Sequence, residues 1–338
     1  MINQNLTYPI TLLLSSSIKK TFDSLGREIA ISGDSISRIL MSNAVTTEEL
    51  IVFCVLIFGN KALYLIVDDT LIKKIYSHTI EGACDNYDSS NRQHYRSLCS
   101  VVAMITDGEI AIPIDQKLWF SEEYSPINHL KKWEIAKALI VKIRPLIRLK
   151  IFIADGLYAV VEFMKWLTKC SINFEMRIHS NRVVTSHDIT AQLRNHPRLK
   201  VKTRNPCRTI RVTWQEMSFF ITAFLRIMKN GKLTIVYQVA NYKTTAAKHV
   251  QCYKYRWNIE KFFRTAKQYL GLGDCMARKQ QAQEYHIMNI FLAYAFAQYE
   301  RYRLNLKNVE SALKSLKRSN FTTLKSKLSS KLQNFSHA

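Results

Sequence analysis

The stretch ALYLIVDDT at residues 62–70, echoed by KIFIADG at 150–156, decides the fold. Each is a short apolar run rich in strand formers that stops at an acid: Asp68 and Asp69 in the first, Asp155 in the second. Runs of this length without polar alternation read as strands buried on both faces. The acids then stand at their C-terminal ends. If the two strands are neighbours in one sheet, Asp68 and Asp155 come within a few ångströms of each other.

Working outward, the Asn- and Ser-rich segment from Asp85 to Arg96 reads as a loop. SLCSVVAMIT (97–106) and EIAIPI (109–114) flank Asp107-Gly108, a strong hairpin signal. His129 to Ile147 reads as a basic amphipathic helix, whose Lys131, Lys132, Lys137 and Lys142 suit either a DNA-facing or a solvated surface. Tyr158 to Cys170 reads as a helix and INFEMRI (172–178) as a strand. The order strand, hairpin, helix, strand, helix, strand predicts a mixed α/β sheet with helices on its faces. RTIRVTW (208–214), SFFITAFLRI (218–227) and KLTIVYQVANY (232–242) then form a β-rich insertion, with Asn230-Gly231 as a hairpin turn.

The first 60 residues read as mostly helical; ISGDSISRIL (31–40) suits a packing helix better than a helix-turn-helix. LIVFCVLIF (50–58) is too short to span a bilayer and reads as a buried helix leading into a strand. Gln280 to Tyr302 is helical in pattern. The tail from Arg301 carries nine basic residues against one acidic, which predicts a loosely packed helix or disordered arm.

Composition narrows the partners. Hydrophobic residues make up 47% of the 338, too many for a largely disordered chain. The formal net charge of +23 points to a polyanion, by counterion release from nucleic acid or attraction to anionic lipid. Met1 to Ile18 lacks the pattern of a secretory signal, so the expected location is cytoplasmic. The seven cysteines are scattered and never form a CxxC pair, as expected of reduced thiols rather than a disulfide frame or zinc site. The nine histidines show no metal-ligand spacing.

YKYRWNIEKFFRTAK (253–267) carries the remaining chemistry. Read as one helix, it sets Tyr253, Arg256, Glu260 and Lys267 at steps of three, four and seven, near a single face. Trp257, Phe262 and Phe263 read as core contacts. One carboxylate framed by two cations and a phenol suits a site holding a divalent metal and a phosphate. With Asp68 and Asp155 it makes three hard oxygen donors, suited to Mg²⁺ or Mn²⁺. Asp69 reads as a turn cap.

In this order the motifs resemble the bacterial insertion-sequence DDE transposases of the insertion-sequence-4 type. Tyr253, Arg256, Glu260 and Lys267 fit that family's Tyr-x2-Arg-x3-Glu-x6-Lys signature. VDDT (67–70) resembles its first-Asp motif and selects Asp68; IADGLY (153–158) resembles its second and selects Asp155; EMRIHSNR (175–182) resembles the strand that opens its insertion. The resemblance implies a ribonuclease-H-like core at 61–179 and 245–303, a β-strand insertion at 180–244, a helical N-terminal region at 1–60 that is a candidate for DNA binding, and a basic tail at 304–338. It implies catalysis by Asp68, Asp155 and Glu260 through two Mg²⁺ or Mn²⁺ ions, cutting the element's ends and joining them to target DNA. Tyr253, Arg256 and Lys267 would contact DNA phosphates. Trp214 is the insertion's candidate for stacking on a base, against a packing role. The implied partners are double-stranded DNA, at terminal inverted repeats and target, and a second copy of the chain in the DNA complex, with no membrane. The alternatives are a retired transposase kept as a DNA-binding protein, or another ribonuclease-H-like nuclease.

Overall fold

The computed structural model describes residues 6–16, 21–42, 44–127, 129–228 and 230–334. Expectations at residues 1–5 and 17–20 and at the last four residues of the tail lie outside that range. The chain opens with helices α1 (Thr7–Ser15), α2 (Phe22–Glu28), α3 (Gly33–Ser42) and α4 (Thr47–Phe58), followed by strands β1 (Leu63–Lys73), β2 (Cys84–Asp88), β3 (Gln93–Thr106) and β4 (Ala111–Trp119). Helix α5 (Lys132–Ile143), strand β5 (Leu149–Ala154), helix α6 (Val161–Lys169) and strand β6 (Phe174–Ile178) come next. The β-rich stretch is β7 (Val183–Ser186), β8 (Ile189–Gln192), β9 (Cys207–Trp214), β10 (Met217–Ile227) and β11 (Leu233–Ala240). Helices α7 (Ala246–Lys254), α8 (Trp257–Tyr269), α9 (Gln280–Arg303), α10 (Val309–Arg318) and α11 (Phe321–Asn334) complete it.

The chain forms two compact units. One comprises residues 62–68 and 149–258; the other comprises 1–61, 69–148 and 259–338. The architecture is the mixed α/β sheet flanked by helices that the element order predicted, with a helical N-terminal region. Among the described residues no helix is long and apolar enough to cross a membrane.

In the first of these units the strand order is β1-β5-β6-β11-β10-β9-β7-β8. β1, β5 and β6 run parallel, and both β1 at 63–67 and β5 at 151–154 are buried, as central strands should be. β11 pairs antiparallel with β6, so the insertion's strands extend the sheet edge. Its hairpin turns where expected: Gly231 takes φ +76°, and Asn230 Oδ1 accepts the Lys232 amide at 3.1 Å.

In the second unit β3 pairs antiparallel with β2 and β4. The β3–β4 hairpin turns at Asp107-Gly108, where Asp107 Oδ1 accepts the amides of Glu109 and Ile110, both at 3.0 Å. Helix α4 starts with a capping box between Thr46 and Glu49. Only part of its apolar run is buried, since Val52, Val55 and Leu56 face solvent. Helix α9 is buried nearly all round, and Phe262 of α8 meets Phe291 and Tyr294 at ring separations of 5.5 and 4.9 Å.

Several sequence expectations are corrected here. The segment 85–96 is not a loop: Asp85 to Asp88 pair with Arg96 to Gln93, and only the turn between them is irregular. Polar side chains there mark an exposed edge hairpin rather than missing structure. The tail is neither loose nor an arm. Val309, Ala312, Leu313 and Leu316 of α10 and Leu324, Leu328 and Leu332 of α11 recur at helical spacing and are buried, the first group facing α9. The basic residues occupy the opposite faces, which is why the charge count alone misled.

Glu300, almost fully buried on α9, accepts Arg303 Nη2 at 3.0 Å and Lys327 Nζ at 2.5 Å, tying α11 to α9. Burial alone would raise this carboxyl, but the bonds from Arg303 and Lys327 outweigh it and hold it below its ordinary value. The stabilisation is therefore complete above the unfolded value near ~4.3 and is lost as pH falls through the depressed folded value. Glu300→Gln is expected to cost on the order of 1–2 kcal/mol at neutral pH, after discounting for the solvent screening of the partly exposed cations, and to flatten acid destabilisation in urea titrations.

Candidate active site

Pairing between β1 and β5 sets the site. Leu65, Ile66 and Val67 stand opposite Phe152, Ile153 and Ala154, and the next residues on the two strands are Asp68 and Asp155. Successive residues of a strand alternate faces and register partners share one, so the two carboxylates emerge side by side. Both are half-buried. Asp155 ends its strand as predicted, and its Oδ1 accepts the Gly156 amide at 2.6 Å, capping a short turn. Asp68 does not end its strand. β1 continues to Lys73, six residues past Val67, where its pairing with β5 ends.

Asp69 is likewise no turn cap. Its Oδ2 accepts Lys132 Nζ at 2.7 Å and lies 3.7 Å from Cys99 Sγ. Cys99, desolvated and beside that carboxylate, has its thiol pushed up to about 12. Burial would lower Lys132, but its attraction to Cys99 and Asp69 leaves it raised. Lys132 and Lys142 are thus committed to acids, Lys142 Nζ lying 2.9 Å from Asp115 Oδ2.

The 253–267 segment is not a single helix. Helix α7 ends at Lys254 and α8 begins at Trp257. Across the junction the Tyr255 and Arg256 amides bond three residues back, to Cys252 and Tyr253, tightening the last turn. Tertiary contacts account for the break. The Tyr255 ring packs on Tyr64 at 4.7 Å, and Arg256 Nη1 donates to Asp68 Oδ2 at 2.7 Å, with both groups largely buried. Tyr253 OH reaches Asp155 Oδ1 at 3.5 Å, and burial pushes its phenol well above the ordinary range. The last turn of α7 therefore directs a phenol at one aspartate, and the break after it a guanidinium at the other. Trp257 is 43% exposed, with Arg226 5.3 Å and Arg256 5.8 Å from its ring, and is not a core contact; Phe262 and Phe263 are.

Asp68, Asp155, Tyr253 and Arg256 all belong to one compact unit; Glu260 and Lys267 belong to the other, on α8. Glu260 is half-buried in the first turn of that helix. Among the described residues no three His, Cys, Asp or Glu side chains gather as a metal cluster. Asp68 and Asp155 by themselves are hard oxygen donors on adjacent strands, a donor set that fits Mg²⁺ or Mn²⁺ and not a softer ion. Trp214, at the end of β9, is only 8% exposed and packs edge-on against Phe219 at 6.3 Å, which favours its packing role.

Sequence reading missed a buried network behind these residues. Glu175 on β6 is fully buried and accepts Tyr242 OH at 2.7 Å, and His249 Nδ1 bonds the same oxygen. Burial raises the Glu175 carboxyl despite these partners. The pair anchors α7, whose last turn carries Tyr253. Glu175 was visible in the EMRIHSNR motif, but nothing in the sequence linked it to His249, 74 positions away.

The profile of the transposase DDE domain matches residues 62–296. Among solved structures, the chain is similar to one described as Mos1 transposase paired-end complex with left transposon end, at 14% identity and a TM-score of 0.19. That alignment covers 50% of this chain and 57% of the other, so the chain spans little more than half of its length. No curated protein matches.

Glu175→Ala is expected to destabilise the protein by about 3–5 kcal/mol in denaturant titration, because it leaves His249 and Tyr242 buried without their acceptor. Glu175→Gln keeps an acceptor of the same shape, and a smaller loss is expected. Equal stability of Glu175→Ala and the wild type would contradict the anchoring role.

Proposed function

Since the chain belongs to the transposase DDE-domain family, we propose that it is a metal-dependent DNA transposase of the insertion-sequence-4 type. It cuts at the ends of an insertion sequence and joins them to target DNA. The observation that carries this reading is the pair Asp68 and Asp155, one step beyond the Val67–Ala154 register pair, with Arg256 and Tyr253 directed at them. Asp68 and Asp155 would hold the divalent ions, Mg²⁺ or Mn²⁺, and Glu260 joins them as the third donor on the strength of the signature alone. Ions bound there would activate the attacking hydroxyl and stabilise the leaving oxygen.

The chain's own residues do the rest. Arg256 neutralises Asp68 before substrate arrives and offers a planar fork of donors to a phosphate. Tyr253 stays protonated, because its phenol is raised, and so remains a donor at any working pH. Lys267 adds a cation for the backbone, and double-stranded DNA is the partner the +23 charge favours. Two copies of the chain are expected in the complex that joins two element ends.

The test uses labelled element ends, purified protein and Mg²⁺. Wild type is expected to yield cleaved and joined products, while Asp68→Asn and Asp155→Asn each lose roughly a hundred- to thousandfold of both activities without losing DNA affinity. Cleavage with no joined product would favour another ribonuclease-H-like nuclease. Binding with no metal-dependent cleavage at all would favour a retired enzyme acting as a DNA-binding protein.

A further inference from the structure

Helix α4 presents an apolar face to solvent. Val52, Val55 and Leu56 are 39%, 51% and 41% exposed, while Leu50, Ile51, Phe53, Cys54 and Phe58 on its other side are buried. At about 3.6 residues per turn, the three share an arc of about 100° with Glu48 before them and Gly59 after them. Glu48 and Gly59 are exposed too, so the strip runs the length of the helix. Single exposed apolar residues are ordinary, whereas a contiguous row on one helix face marks an interaction surface.

The ends of the strip carry opposite charges. Glu48 lies in the first turn of α4. At the other end Arg148 donates from Nη1 to the Asn60 carbonyl at 2.9 Å, which fixes its guanidinium beside the helix terminus. Both side chains are exposed, and neither has an ion-pair partner among the described residues. All of these residues belong to one compact unit.

Glu48 and Asn60 stand equally far from Cys54, about 9 Å along the helix at about 1.5 Å per residue. A strip with acid and cation placed symmetrically about its middle is complementary to itself when one copy is turned end over end. Gly59 puts no side chain beside the cation, and a Cβ there would meet nothing within 4 Å, so the approach to Arg148 is open. The acid also disfavours DNA or an anionic lipid surface as the occupant, since either would be repelled at Glu48.

We propose that the exposed face of α4 docks on the same face of a second copy of the chain, the two helices antiparallel about a two-fold axis level with Cys54. Val52, Val55 and Leu56 of the two copies pack together, and each Glu48 meets the Arg148 of the other copy. The contact is smaller than the ~800 Å² per partner of a standard interface, so it holds the pair weakly and reversibly. It forms without DNA and goes beyond the proposed reaction.

Sedimentation equilibrium of the full-length protein without DNA tests it. Wild type is expected to dimerise with a dissociation constant of roughly 10–100 μM. Val55→Lys should weaken the dimer by at least about tenfold. Glu48→Arg and Arg148→Glu should each weaken it about three- to tenfold, because each acts at both symmetric contacts, and the two changes together should restore it. Val55 stands about 1.5 Å along the helix from the level of the two-fold axis, so Val55→Cys should form a disulfide-linked dimer under mild oxidation that wild type does not. A wild type that is monomeric throughout that range overturns the proposal. So does a dimer untouched by Val55→Lys, or a double swap no tighter than its single changes. A monomer that instead pellets with phosphatidylglycerol vesicles gives the face to a membrane and equally overturns it. Each of these results leaves the transposase reading standing, because cleavage and joining are assayed separately on DNA.

Discussion

Everything at the candidate site depends on the parallel register of β1 against β5. Val67 opposite Ala154 leaves Asp68 and Asp155 as the next residues on neighbouring strands. A slip of one residue would turn every side chain of the moved strand to the other face and separate the acids. The register is strongly specified because both strands are buried, so any slip would also expose Ile66 or Phe152. Packing of the core thus enforces the placement of the chemistry.

That placement carries an electrostatic cost. Two carboxylates on adjacent strands, about 5 Å apart, repel by on the order of 3 kcal/mol at an effective dielectric near 20. Arg256 offsets the repulsion through its bond to Asp68, and Tyr253 does so more weakly at Asp155. Tyr253 comes from the last turn of α7 and Arg256 from the junction after it, and the Glu175–His249 pair holds α7 against β6. The interruption between α7 and α8 is what frees Arg256 from helical geometry to reach the strand. A cation that rests on Asp68 can also answer a phosphate, so the same contact that stabilises the folded chain prepares it for its substrate.

Legibility varied by residue. Asp155 was readable because a strand ending in Asp-Gly stops for local reasons: the side chain caps the turn that follows it. Asp68 was readable as a site residue but misread as a terminus, since Thr70, Leu71 and Ile72 continue the strand past the acids. The hairpins at Asp107-Gly108 and Asn230-Gly231 were legible from their dipeptides. The β2–β3 hairpin was hidden by polar, edge-strand composition, and the tail helices by their exposed lysines. Asp69 could not be separated from a turn acid until Lys132, 63 positions away, was seen beside it.

By itself the sequence determined the alternation of strands and helices, the identity of the acids and the cations of the 253–267 segment. These are written in periodicity, turn dipeptides and spacing, which act over a few residues. Only the tertiary structure decided which cation meets which acid, where the signature helix breaks, and which aromatic rings stay open. Those outcomes depend on partners far apart in the chain, such as Arg256 and Asp68 at 188 positions. Local pattern carries no record of such a meeting, because it is settled by how the sheet and its helices close on one another.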